Sequence, residues 1–313
     1  MTLIQPPMMV NGGTHPARTM RMMIRDLSRG SQGVTEYNDL KVTQQTTPGA
    51  GVQVADGSGI VRGAAWGQGS YTQYNVGTAL VPIAPTGAQG RTDMVVLRVL
   101  DPEYEGNLDP ARDNIGFFDV VSNVSASATQ PPAGMSAIPL ARITQPANCA
   151  TVTNAMITDL RKIANPRKDR EIYVASPPGD QNWEGNMGGT YVQWPPAAKW
   201  TIPVPVWAVK ARIVFTVAAV QVIRGNVWGH ATFKLGAYQG QSINFDTGAF
   251  TAGDKSQRVN LISADTLNVA ASMRGTNQVL QAMVSLNTKE AGYLQADTAT
   301  TAIADVEFQE GVY

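Results

Sequence analysis

The chain has 313 residues, with 24 Lys plus Arg balanced by 24 Asp plus Glu, so its formal charge is zero and nothing draws it globally to nucleic acid or anionic membrane. Charged residues are only 15% of the total, well under the roughly one quarter usual in soluble domains, which leaves neutral polar residues or other subunits to cover the surface. One cysteine, Cys149, excludes an intrachain disulfide and a thiolate metal cluster, and is expected to be a small buried apolar residue.

Residues 1–10 contain Pro6 and Pro7 and lack a basic region followed by a long apolar run, so they do not read as a signal peptide. No stretch reaches the roughly 18 consecutive apolar residues of a membrane-spanning helix. The first periodic segment is helical: Met20, Met23, Ile24 and Leu27 fall at i, i+3, i+4 and i+7, with Arg18, Arg21, Arg25 and Arg29 on the remaining circumference and Gly30 as a stop. Its Met and Leu face is expected to pack on a neighbouring domain or subunit. About three turns are too few to hold a bilayer alone.

From Leu40 the pattern changes to short strands, at 40–44, 52–55, 60–62, 71–75 and 80–84, spaced as in meanders and hairpins. Asp56-Gly57 reads as a tight hairpin turn, because Gly supplies positive φ. A longer apolar strand is expected at 94–100, whose unbroken Met-Val-Val-Leu at 94–97 predicts burial on both faces at the centre of the first domain. Strands at 115–124 and 138–143 follow, divided by a Pro-rich turn at 130–134, and 152–163 closes the domain with a short helical turn.

A charged break at 165–170 and the breaker cluster 176–180 place the domain boundary between about 165 and 180. Beyond it, segments at 200–204, 209–222, 227–235, 257–263, 267–271, 279–286 and 302–309 make about seven strands, the count of a sandwich or jelly roll. Ile303 is out of step with Val306 and Phe308, which marks a candidate bulge. There is no fixed-period repeat and no heptad run, so a trimer would have to be held by globular surfaces.

The segments GVQVADGSGIVRG at 51–63, GSYTQYN at 69–75, IAP at 83–85 and RTDMVVLRVLDPEYEG at 91–106, continued by IPLARI at 138–143 and VTNAMITDLR at 152–161, resemble minor tail proteins of long-tailed phages infecting actinobacteria. The similarity covers roughly residues 15–167 and includes no catalytic motif. It implies a scaffold in which Arg91, Asp93 and Arg98 make pairs or backbone hydrogen bonds beside a central strand. It further implies a module anchored at the tail tip or baseplate, a homotrimer, other tail proteins as partners, and a virion location after synthesis in the host cytoplasm. The part after such a module is commonly variable and faces the host surface.

Five of the six tryptophans, Trp183, Trp194, Trp200, Trp207 and Trp228, lie in the second half. Trp183, Tyr191 and Trp194 are candidates for stacking on a host cell-surface glycan; the competing reading places them in a core or subunit contact. His15 and His230 are too few for a metal site or a nucleophile triad, and His230 reads as a structural histidine. Asp180 and Glu184 are candidates for paired carboxylates in glycoside cleavage, but two acids in one polar loop meet by chance constantly. The Gly-rich stretches lack the Gly-Lys-Ser/Thr ending of a phosphate loop.

The expectation is therefore an all-β chain that is not an enzyme, with no cofactor, metal, nucleic-acid partner or membrane insertion. It comprises an arm with a short N-terminal helix (1–30), a small β tail-anchoring module (31–167), a linker (168–180) and a C-terminal jelly-roll-like β-sandwich (181–313). Its role is that of a structural tail component. The alternatives are a receptor-binding protein whose C-terminal domain takes a cell-envelope glycan and, third, a wall-polysaccharide depolymerase.

Overall fold

The computed structural model describes residues 11, 15–183, 189–223, 225–248, 256–289 and 292–312, the side chains of 256 and 286–289 excepted. Among the described residues the chain is all-β with one short α-helix, and it divides into two compact units, one holding the residues up to Pro166 with Val312, the other Arg167–Gly311.

The first unit begins with α1 (Ala17–Leu27) and continues through β1 (Gly33–Val34), β2 (Val42–Gly49), β3 (Gly51–Val54), β4 (Gly57–Arg62), β5 (Ser70–Asn75), β6 (Ala79–Pro82), β7 (Arg91–Val99), β8 (Gly116–Val121), β9 (Ala137–Gln145) and β10 (Ile157–Asp159). These make three small sheets, ordered β1-β4-β5, β2-β3-β6 and β10-β9-β7-β8. Their inner faces share one core that includes Val34, Leu40, Val52, Leu97, Leu140 and Ile143. The apolar run predicted at 94–100 is the interior strand β7, flanked by β8 and β9 and buried from Thr92 to Leu97. The helical turn expected near the end of the unit is a single turn at Asn154–Met156 before β10.

Asp56-Gly57 does not close a hairpin. β3 and β4 belong to different sheets, and the turn carries the chain from one to the other. Gly57 is needed there because its φ is +138° and a Cβ would lie 2.5 Å from the Cα of Asp39.

The helix also sits differently from its amphipathic pattern. None of its residues is buried; Leu27 is 73% exposed and Met20 42%, and the arginine face is the one that docks. Arg18 Nε donates to the Gly67 carbonyl at 2.8 Å, and Arg21 Nε to that of Gln68 at 2.9 Å. Arg21 also pairs with Asp101 and Glu103 and lies over the rings of Tyr71 and Tyr104, while Arg25 stacks on Trp66 at 4.9 Å. Guanidinium planes over aromatic rings, with carbonyls as acceptors, hold the helix to its own unit. Arg21→Ala should therefore loosen the helix by about 2 kcal/mol, or roughly 30-fold faster amide exchange over 17–27, with the rest of the unit unchanged by hydrogen-exchange mass spectrometry.

The second unit contains β11 (Lys168–Ala175), β12 (Gln181–Trp183), β13 (Val192–Gln193), β14 (Lys199–Pro203), β15 (Ala208–Ile223), β16 (Val227–Leu235), β17 (Tyr238–Gln239), β18 (Ile243–Asp246), β19 (Ser256–Asn268), β20 (Asn277–Lys289), β21 (Tyr293–Ala296) and β22 (Thr301–Glu310). One sheet runs β11-β22-β15-β21-β12 with β19 also on β15; the other runs β13-β20-β16-β17 with β14 on β20 and β18 on β16. Their facing sides form a sandwich core that includes Ile202, Ile213, Phe215, Phe233, Leu280 and Val306. Much of the expected linker is strand: Lys168–Ala175 pairs with β22 along its whole length.

No bulge marks Ile303. β22 alternates half-buried and buried residues without interruption from Thr301 to Glu310, and Ile303 stands on the outer face beside Asp305 and Glu307. The irregularities on this sheet lie in β15: its register with β22 shifts between Ala208 and Lys210, and its register with β19 shifts between Val217 and Val220, where Ala219 takes φ +57°. Left-handed backbone at an alanine costs about 1 kcal/mol, and three side chains hold it in place. Arg258 and Thr300 donate to the Ala219 carbonyl, and the Asn260 amide oxygen accepts from the Ala219 N–H.

Arg258 is in turn fixed by Asp297, at 2.6 Å, and its guanidinium holds that carboxyl down at about 2. Because the folded value lies below the unfolded one, this contribution to stability is complete above about pH 4 and is lost as pH falls towards 2. Urea midpoints measured between pH 5 and 2.5 should fall less steeply for Asp297→Asn than for the parent chain.

Candidate functional site

The three residues expected to meet a glycan lie around the β12–β13 connection. Trp194 is 3% exposed; its backbone N–H donates to the Ala282 carbonyl at 3.2 Å and its indole Nε1 to that of Gln181 at 3.2 Å. Trp183, half-buried against the sandwich core, meets Trp194 with ring centroids 6.2 Å apart and planes 31° apart. Tyr191 is half-buried. The two indoles pack together against the sandwich, and Trp194 has no face left on which a sugar ring could stack.

Two other tryptophans of the unit follow the same pattern. Trp200 packs between Tyr173 and Phe215, with centroids 6.2 and 5.7 Å away, and Trp207 lies under the Arg167 guanidinium at 5.5 Å. Trp228 departs from it and is exposed, at 37%. His230 Nδ1 meets the Asn244 side-chain oxygen on the neighbouring strand, as a structural histidine would. Asp180 is exposed, whereas Glu184 lies outside the described residues, as do residues 185–188 of the second Gly-rich stretch.

Among the described residues, no three His, Cys, Asp or Glu side chains are grouped to hold a metal ion. Cys149 is half-buried rather than buried, with its thiol directed at the Thr151 carbonyl at 3.1 Å. No helix among the described residues is long and apolar enough to cross a membrane. The ionic pairs foreseen beside β7 are present: Arg91 binds Asp93, whose carboxylate is fully buried and also accepts from the Asn123 N–H, and Arg98 binds Glu105 and Asp119.

One recess lies where the sequence offered no signal. In the first unit the edge strands β5, β6 and β8 line an open groove of about 380 Å³, bordered by Gln73, Tyr74, Asn75, Leu80, Asn114 and Phe117. Tyr74 is 74% exposed and Leu80 68%. Spread over three strands of three sheets, these residues share no spacing in the sequence that would announce a site.

No family model matches the sequence, and no curated protein matches it. Solved structures that align with the chain include the infectious bursal disease virus VP2 subviral particle, at 11% identity and a TM-score of 0.25 over 90% of this chain and 77% of the other. The Gx strain of the same virus aligns at 11% identity and a TM-score of 0.25, over 90% of this chain and 75% of the other. The insecticidal delta-endotoxin Cry8Ea1 from Bacillus thuringiensis aligns at 9% identity and a TM-score of 0.21, over 92% and 55%. At scores this low the correspondence carries no argument about the fold or role of this chain.

Proposed function

We propose that the chain is a structural subunit of a bacteriophage virion, assembled as a homotrimer in the tail tip or baseplate among other tail proteins, without a catalytic role. The observation that carries this choice is the fate of the tryptophans. Trp194 is in the sandwich core, and Trp183 and Trp200 pack against it, which suits a domain that is itself a building block better than one presenting an aromatic platform to sugars. The low share of charged residues supports the same reading, since a subunit inside a permanent assembly needs less charge for solubility than a free monomer. The tail setting rests on the resemblance across residues 15–167.

A second reading keeps host attachment through a glycan. What favours it is the first-unit groove, where exposed Tyr74 stands near the amides of Gln73, Asn75 and Asn114. Fluorescently labelled full-length chain incubated with host cells separates the two. A structural subunit leaves the cells unlabelled; saturable labelling that is competed by isolated wall polysaccharide would replace the first reading with the second.

A further inference from the structure

The outer face of the β11-containing sheet is unusual for a surface left to water. The register lines up four strands, β11, β22, β15 and β19, in rows across it. One row is Val174, Ile303, Thr216 and Ile262; the next is Ile172, Asp305, Val214 and Ala264. Ile172 is 57% exposed, Val174 59% and Ile262 50%, with Ile303 and Val214 half-buried between them. Single exposed aliphatics are ordinary, but five side chains of this kind in two adjoining rows form a contiguous patch. It reaches β11, which among the described residues is an edge strand, paired on one side only.

The charges beside the patch indicate what covers it. Lys168 and Arg170 stand on β11, Asp305 and Glu307 on β22, and Lys210 and Arg212 on β15, so the sign alternates from strand to strand. Within one copy Arg170 binds Asp305 at 2.5 Å and Lys168 approaches Glu307 at 3.6 Å. A neighbour whose β11 edge crosses this face obliquely brings the cations of that edge over these carboxylates, and brings its aliphatic end over the aliphatic rows. The β11 edge of one copy is thus complementary in charge and polarity to the β22–β19 face of another.

We propose that a second copy of this chain covers the patch: Ile172 and Val174 of one copy pack on Ile303 and Ile262 of the next, while Lys168 and Arg170 face that neighbour's Asp305 and Glu307. The contact is head-to-tail, joining an edge to a face, and three such contacts close a ring. This rests on the reading of the chain as a self-associating subunit and names the surface that does it.

Light scattering coupled to size exclusion, on the full-length chain, provides the test. The parent chain should run as a trimer, and Ile172→Asp combined with Val174→Asp should lower the mass about threefold, to the monomer. Ile262→Lys, on a different strand, should do the same, while Val206→Asp, also at an exposed position (64%) but off this face, should leave the trimer intact. Because each substituted side chain is at least half exposed, circular dichroism and melting should match the parent, which separates loss of assembly from loss of fold. Patch variants that keep the trimer would overturn this surface and leave the self-associating subunit standing. A monomeric parent chain would overturn both.

Discussion

Phe233→Ala is expected to destabilise the second unit by about 3–5 kcal/mol, the usual cost of emptying a buried aromatic site. Phe233 is fully buried at the middle of the sandwich, and its ring stacks on Phe215 of the opposite sheet at 6.3 Å and 11°. The cavity cannot collapse easily, because the ring is also held from the side: a Cβ on Gly240 would lie 2.5 Å from it. At about 2–4 °C per kcal/mol for a unit of this size, calorimetry should show the corresponding transition displaced downward by about 6–20 °C. Phe233→Leu keeps much of the volume and should recover most of the loss. A melting temperature within a degree or two of the parent would mean that the two sheets are not joined through this pair.

Arg161→Met should have an effect of similar size in the first unit. The Arg161 side chain is fully buried; it forks onto Asp159 and donates to the carbonyls of Tyr37 and Asp39, at 3.1 and 2.7 Å. Its replacement strands the two backbone acceptors, while exposed Asp159 keeps water and the Arg161 N–H as partners, and about 2–4 kcal/mol is the expected cost. Arg161→Lys keeps the charge but not the planar fork, so it should recover only part of the difference in a urea titration. Equal stability of the methionine variant and the parent would show that 159–161 does not fasten the segment around residues 37–39.

The fold was legible in the sequence wherever one local pattern decided the outcome. The apolar run at 94–97 could only be an interior strand, and turn residues at close spacing made the rest of the chain all-β. Pairing between distant segments was not legible. Asp56-Gly57 has the chemistry of a hairpin turn, yet which sheet receives β4 depends on the approach of Gly57 to Asp39. Likewise, the helix pattern records two chemically distinct faces and not which of them docks. That is decided by Tyr71, Trp66 and Tyr104, which the fold brings under the arginines.

The candidate site followed the same division. Gly and Trp in a loop signal aromatic chemistry but not exposure, and Trp194 is buried because the Gln181 and Ala282 backbones reach it from segments 13 and 88 residues away. Ile303 shows the converse. Its break in alternation reads as a bulge only if every large aliphatic is assumed to face inward; register with β11 and β15 shows it facing outward, in the row that gives the sheet its apolar patch.

The central claim, that this chain is a built-in part of a phage tail, is met most directly by locating it in the particle. Antibody raised against the full-length chain and visualised on purified virions by electron microscopy should decorate the tail tip, with the chain present in the same particles by mass spectrometry. Purified, infectious particles that contain none of it would contradict the account.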